Sequence, residues 1–79
     1  MPNPFSKTTE IRFTNPLRQN KTVMIYNSSG ILVRSITTKN ESVVWNGRND
    51  VGLILPNGCY FVRLDKSPAK SIQKIIIAR

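Results

Sequence analysis

The sequence predicts an all-β sandwich of six to seven antiparallel strands, and three observations carry that prediction. Short runs rich in β-branched and aromatic residues recur along the 79 residues, separated by clusters of Gly, Pro, Asn and Ser. Their spacing of roughly 8–12 residues is that of a two-sheet fold. No run carries a helical period, so no crossover helix is available and antiparallel pairing follows. The runs also set apolar against polar residues, so one face of each sheet must be buried against a second sheet.

Residues 3–5 form a short extended segment, suited to an edge strand because proline is tolerated there. Residues 8–14 alternate Ile11 and Phe13 with Glu10 and Arg12, and Asn15-Pro16 ends the run because proline has no N–H to donate. Residues 21–26 include Val23, Met24, Ile25 and Tyr26 and lead into the turn Asn27-Ser28-Ser29-Gly30, where Gly30 is free to take positive φ. Residues 31–38 make the next run, closed by Lys39-Asn40. Residues 41–45 set Val43 and Trp45 on one face and Val44 on the other.

Residues 59–64 place Tyr60, Val62 and Leu64 on one face and Cys59, Phe61 and Arg63 on the opposite one. Residues 71–78, with Ile72, Ile75, Ile76 and Ile77, supply the last strand. The longest stretch outside the runs is 46–58, whose two Asn-Gly pairs and Gly52 predict consecutive tight turns. Asn46 and Asp50 are spaced to accept bonds from nearby backbone N–H groups, and residues 53–55 are apolar enough to form a brief strand or to plug the sandwich end. The resulting fold class is an immunoglobulin-like β-sandwich, one domain over residues 1–79.

Composition narrows the function. A chain of this length buries only about 60% of its unfolded surface, so its stability is marginal. Cys59 is the single cysteine, which leaves packing and strand pairing rather than an internal disulfide to hold the fold. The chain has no histidine, the commonest general base and metal ligand, and its acids Glu10, Glu41, Asp50 and Asp65 lie far apart in sequence. No catalytic, cofactor or metal site is expected, and the chain is not expected to be an enzyme.

The net charge of +8, from 12 Lys and Arg against 4 acids, is compatible with nucleic acid, an anionic membrane or a polyanionic saccharide. The cations are dispersed from Lys7 to Arg79, however, so a solvated surface and no nucleic-acid partner are expected. No stretch approaches the roughly 18–20 apolar residues of a membrane-spanning helix. Met1-Pro2-Asn3-Pro4 lacks both a charged start and an apolar run, so any export signal lies elsewhere in a longer precursor or in the fold itself.

Several residues admit a sharper reading beside a plain one. Trp45, Tyr60 and Phe13 could stack sugars or bases, but their alternation with polar neighbours favours the core. Asn46, Asn49 and Asp50 could ligate calcium, but a single carboxylate among them favours turn chemistry. Cys59 has no activating neighbour in sequence and reads as an inert small residue. The sequons at Asn20, Asn27 and Asn40 would matter in a eukaryotic secretory protein and otherwise read as turn residues. From Arg63 onward, Arg63, Lys66, Lys70, Lys74 and Arg79 face Asp65 alone. That tail is either a charged edge protected against self-pairing or a docking surface for an acidic partner.

The chain also resembles a known family. Pro2-Asn3-Pro4-Phe5 followed by Thr8-Thr9-Glu10-Ile11-Arg12-Phe13 is similar to the opening of the type A sorting domains of the type IX secretion system. Val23-Met24-Ile25-Tyr26-Asn27, with Gly30 and Val33, resembles the family's next element. Trp45-Asn46-Gly47-Arg48-Asn49-Asp50-Val51-Gly52 resembles its Trp-Asp-Gly-Arg loop, with Asn46 where aspartate is common. Asn57-Gly58-Cys59-Tyr60-Phe61-Val62-Arg63-Leu64 is similar to its Gly-x-Tyr strand, and Lys74-Ile75-Ile76-Ile77-Ala78-Arg79 to its basic-apolar-basic end. The middle region also resembles the Ig-like domain of the flagellar hook-capping protein.

The resemblance implies a non-catalytic C-terminal sorting signal, fused to the C-terminus of a secreted cargo. It implies passage through the periplasm to the surface of a Gram-negative bacterium, and recognition by secretion machinery in the outer membrane. A cell-surface sortase and an anionic lipopolysaccharide are further implied partners, and the domain is expected to be monomeric. Lys70, Lys74 and Arg79 are the expected recognition residues. Pro2, Asn3, Pro4, Phe5, Trp45, Gly47, Asp50, Gly52, Gly58 and Tyr60 carry the motifs. The alternative is a structural Ig-like module of an extracellular or flagellar assembly.

Overall fold

The computed structural model describes residues 4–5, 7–65 and 72–79. The described residues form seven strands and no helix: β1 (Pro4–Phe5), β2 (Thr9–Arg12), β3 (Lys21–Asn27), β4 (Leu32–Thr38), β5 (Ser42–Trp45), β6 (Gly58–Leu64) and β7 (Gln73–Ile77). They build one five-stranded sheet in the order β1-β7-β6-β3-β4 and one two-stranded sheet of β2 and β5. The pairs β2–β5, β3–β4, β3–β6 and β6–β7 are antiparallel, as expected. β1 departs from that pattern and runs parallel to β7, with Pro4 opposite Ile76 and Phe5 opposite Ile77. These two strands come from opposite ends of the chain, so no hairpin dictates their relative direction.

The core lies between the sheets. Ile11, Val43 and Trp45 face it from β2 and β5, while Val23, Ile25, Tyr60, Val62, Ile75 and Ile77 face it from the larger sheet. Alternation fixes these faces: Val43 and Trp45 are buried, whereas Val44 between them is 64% exposed. Phe13, Val33, Ile36, Leu55 and Leu64 pack around the margin.

Strand boundaries differ from the sequence reading at three points. The first long run stops at Arg12, and Phe13 instead donates its N–H to the Glu41 carbonyl at 3.0 Å. Ile31 precedes β4 and its carbonyl accepts from Asn27 N–H, closing the β3–β4 turn. Ile72 precedes β7 and is 45% exposed, leaving Ile75 and Ile77 as that strand's core residues. Asn15 does more than end a run. It is 2% exposed, its Oδ1 accepts from Gln19 N–H, and its Nδ2 lies within bonding distance of the Gln19, Lys39 and Asn40 carbonyls.

Candidate functional site

Residues 46–57 leave β5 and return to β6 as a folded loop. Trp45 donates its indole N–H to the Arg48 carbonyl at 2.9 Å, and Tyr60 donates its hydroxyl to the Pro56 carbonyl at 2.7 Å. The two rings meet edge to face, with centroids 5.5 Å apart and planes at 71°. Buried aromatics at the two strand ends thus anchor the beginning and the end of the loop. Between them, Arg48 bridges Ile54 in antiparallel fashion, and Leu55 N–H donates to the Gly47 carbonyl. The brief strand expected from residues 53–55 takes this form: Leu55 packs on the core, while Leu53 and Ile54 stay exposed.

Turn chemistry accounts for the loop's polar residues. Asn46 Oδ1 accepts from Arg48 N–H, and Asn49 Oδ1 accepts from both Val51 and Leu53 N–H. Gly47 and Gly52 take φ of 72° and 89°, a region that side-chain-bearing residues rarely adopt. Gly58 begins β6. Asp50 corrects the local Asx reading: its bonds run to β4 rather than to its own turn. Its N–H donates to the Val33 carbonyl at 3.1 Å, and its Oδ1 accepts from Ser35 N–H at 3.2 Å, with Arg34 Nη1 3.8 Å away. In this way one residue occupies a position on the outer edge of β4 that another strand would otherwise take.

The expected recognition residues separate. Lys70 lies outside the described residues, as do Pro2 and Asn3. Pro4 and Phe5 form β1. Lys74 is exposed and sits opposite Phe61, which in turn sits opposite Tyr26, so the three form one row across the outward face of the larger sheet. Met24 opposite Arg63, and Cys59 opposite Ile76, flank that row. Arg63 Nε is buried there without a hydrogen-bond partner.

Arg79 is placed elsewhere. Its N–H and C=O are both held by the Asn57 side chain, at 3.1 and 3.2 Å, and its guanidinium bonds the Leu55 and Gly47 carbonyls. Burial pushes the Tyr60 phenol above its ordinary pKa, and the nearby Arg79 charge pulls weakly the other way. Asn49 holds its own turn, as the sequence reading favoured, whereas Asn57 was given no role beyond its turn and Asn15 none beyond ending a strand, because their partners are backbone groups of other segments. Among the described residues, no three His, Cys, Asp or Glu side chains gather to hold a metal ion.

The sequence model of the family described as the secretion system C-terminal sorting domain matches residues 1–78. Among solved structures, the chain is similar to part of the crystal structure of dimeric latent PorU from Porphyromonas gingivalis, with a TM-score of 0.76 and 26% identity. That likeness covers 98% of this chain and 9% of PorU, so the chain spans about a tenth of PorU's length. No curated protein matches the chain. The chain belongs to the C-terminal sorting domains of the type IX secretion system, which direct a protein by way of the periplasm to the cell surface or the extracellular space.

Proposed function

We propose that the outward face of the five-stranded sheet is the surface that the outer-membrane machinery reads, with Lys74 as its central cation. The observation that carries this reading is the row Tyr26–Phe61–Lys74 beside Arg63 and Ile76: half-buried apolar side chains next to two cations, Lys74 and Arg63. Such a face suits an acidic partner with an apolar centre, since rim charges steer encounter and exclude wrong partners. Arg63 Nε, buried and unpartnered, adds a donor for an incoming acceptor.

In this reading the domain spans residues 1–79, is monomeric, and is a piece of a longer secreted precursor with its cargo on the N-terminal side. It performs no chemistry of its own, which its lack of histidine and its dispersed acids support. A cell-surface sortase removes it after transit, and the cargo is joined to anionic lipopolysaccharide; family membership supports both steps. Nucleic acid is not a partner in this reading, because the cations are dispersed along the chain from Lys7 to Arg79.

The test is secretion of a reporter fused to wild-type, Lys74→Glu and Lys39→Glu domains, beside thermal melts of each. Lys74 and Lys39 are both exposed, so reversal should change stability by about 0.5 kcal/mol or less. Export should fall for Lys74→Glu alone. Undiminished export of Lys74→Glu would remove the sheet face from recognition.

A further inference from the structure

Arg79 converges not with Lys74 but with Lys7 and Arg48, on a cavity of about 250 Å³ at the loop end whose wall Asn46 and Ile54 complete. None of the chain's four acids lines it. Glu10 pairs with Arg12, and Asp50, the loop's own acid, is engaged with Ser35 and Arg34. Even with the α-carboxylate of Arg79 counted against it, the cluster keeps two positive charges in excess.

Both guanidinium groups are held by backbone carbonyls: Arg79 by Leu55 and Gly47, Arg48 by Gly52. A carbonyl oxygen fixes a guanidinium without neutralising it, and each group has five N–H donors, so donors remain for a ligand. Lys7 makes no hydrogen bond or ion pair among the described residues.

We propose that this cavity binds a tetrahedral oxyanion of the phosphate class. Three cations on different chain segments match a compact, multiply charged ligand with acceptor oxygens on several sides. The volume is several times the roughly 30 Å³ of a water molecule, which leaves room for a phosphate and the first atoms of the group that carries it. The site is separate from the sheet face of Lys74, and its failure would leave the sorting reading standing.

The test is an amide-resolved NMR titration of the 79-residue chain with inorganic phosphate at pH 7 and fixed ionic strength. Saturating shifts confined to Lys7, residues 46–54 and Arg79 are expected. Lys7→Gln and Arg48→Gln should each weaken binding roughly two- to fivefold, the range of one exposed charge pair. Lys7→Gln is the decisive variant because that side chain makes no bond among the described residues, whereas Arg48 also holds the Gly52 carbonyl.

Lys39→Gln removes the same charge elsewhere and should change nothing. Shifts spread over all the basic residues without saturation, or equal weakening by Lys39→Gln, would overturn the site in favour of diffuse net charge. Co-sedimentation with phosphatidic acid vesicles, against phosphatidylcholine alone, identifies the source of the phosphate. Pelleting lost in Lys7→Gln assigns it to a lipid headgroup. Saturating phosphate shifts without pelleting assign it to a soluble or saccharide-borne phosphate.

Discussion

Trp45 and Tyr60 touch edge to face across the two sheets, and each sends its one polar atom to a backbone carbonyl of the loop that joins their strands. The pair therefore couples sheet packing to loop geometry. Both rings are buried, at 0% and 3% exposure, so neither is available to stack a ligand. Trp45→Ala should cost about 3–5 kcal/mol and unfold a domain whose whole stability is of similar size. Urea denaturation checks this, and Trp45 emission at the wavelength of free indole in the folded state would contradict the packing.

Tyr60 also makes stability depend on alkaline pH. Its folded pKa lies above the ordinary value of 10.0 because burial disfavours the phenolate. The folded chain thus holds this proton more tightly than the unfolded chain does. Its contribution is fully present below the unfolded pKa and is lost as pH rises through the folded one. Melts of wild type and Tyr60→Phe at about pH 9 and about pH 11 should show the wild type losing more, since the two proteins differ only in this phenol.

Asn15 should behave as a buried structural residue. Asn15→Ala removes the partner of Gln19 N–H and leaves the Lys39 and Asn40 carbonyls short of a donor, at a cost of about 1–3 kcal/mol. Asn15→Asp keeps an acceptor but loses the donor, and should be at least as damaging. Equal melting of either variant and wild type would show that these bonds contribute nothing net.

Asp50 should control self-association. In Asp50→Ala the Ser35 N–H on the edge of β4 loses its acceptor and becomes open to pairing with a second chain, while the backbone bond to the Val33 carbonyl remains. Sedimentation velocity should show dimers or larger species. Asp50→Asn retains an acceptor oxygen while losing the ion pair with Arg34, and should stay as the wild type. Association of Asp50→Asn alone would assign control to the charge instead.

The strands, their faces and most of the core were legible because alternation reports directly on burial. Val43 and Trp45 against Val44, and Tyr60 and Val62 against Phe61, needed no more than a period of two. What the sequence hid are bonds whose partners are distant backbone atoms. Asp50 reaching Ser35, Asn57 clasping Arg79, and Asn15 serving Lys39 and Asn40 are all set by where turns meet strands. The basic tail was hidden in the same way. Of the tail's described cations, Arg63 and Lys74 lie on the sheet face and Arg79 at the loop end, because Lys74 and Arg79 lie on different sides of one extended segment.

The position of β7 has a consequence for the timing of folding. That strand lies inside the larger sheet, between β1 and β6, and supplies Ile75 and Ile77 to the core. A ribosome delivers those two residues after every other core residue, and the earliest strand can pair only once they have emerged. Pairing over such a separation is slow, so β1 and β7 join the sheet after β3, β4 and β6 can already have paired. A chain broken off in translation has no neighbour for β1 and an incomplete core. The same topology makes the assembled core a report that the chain has emerged at least as far as β7.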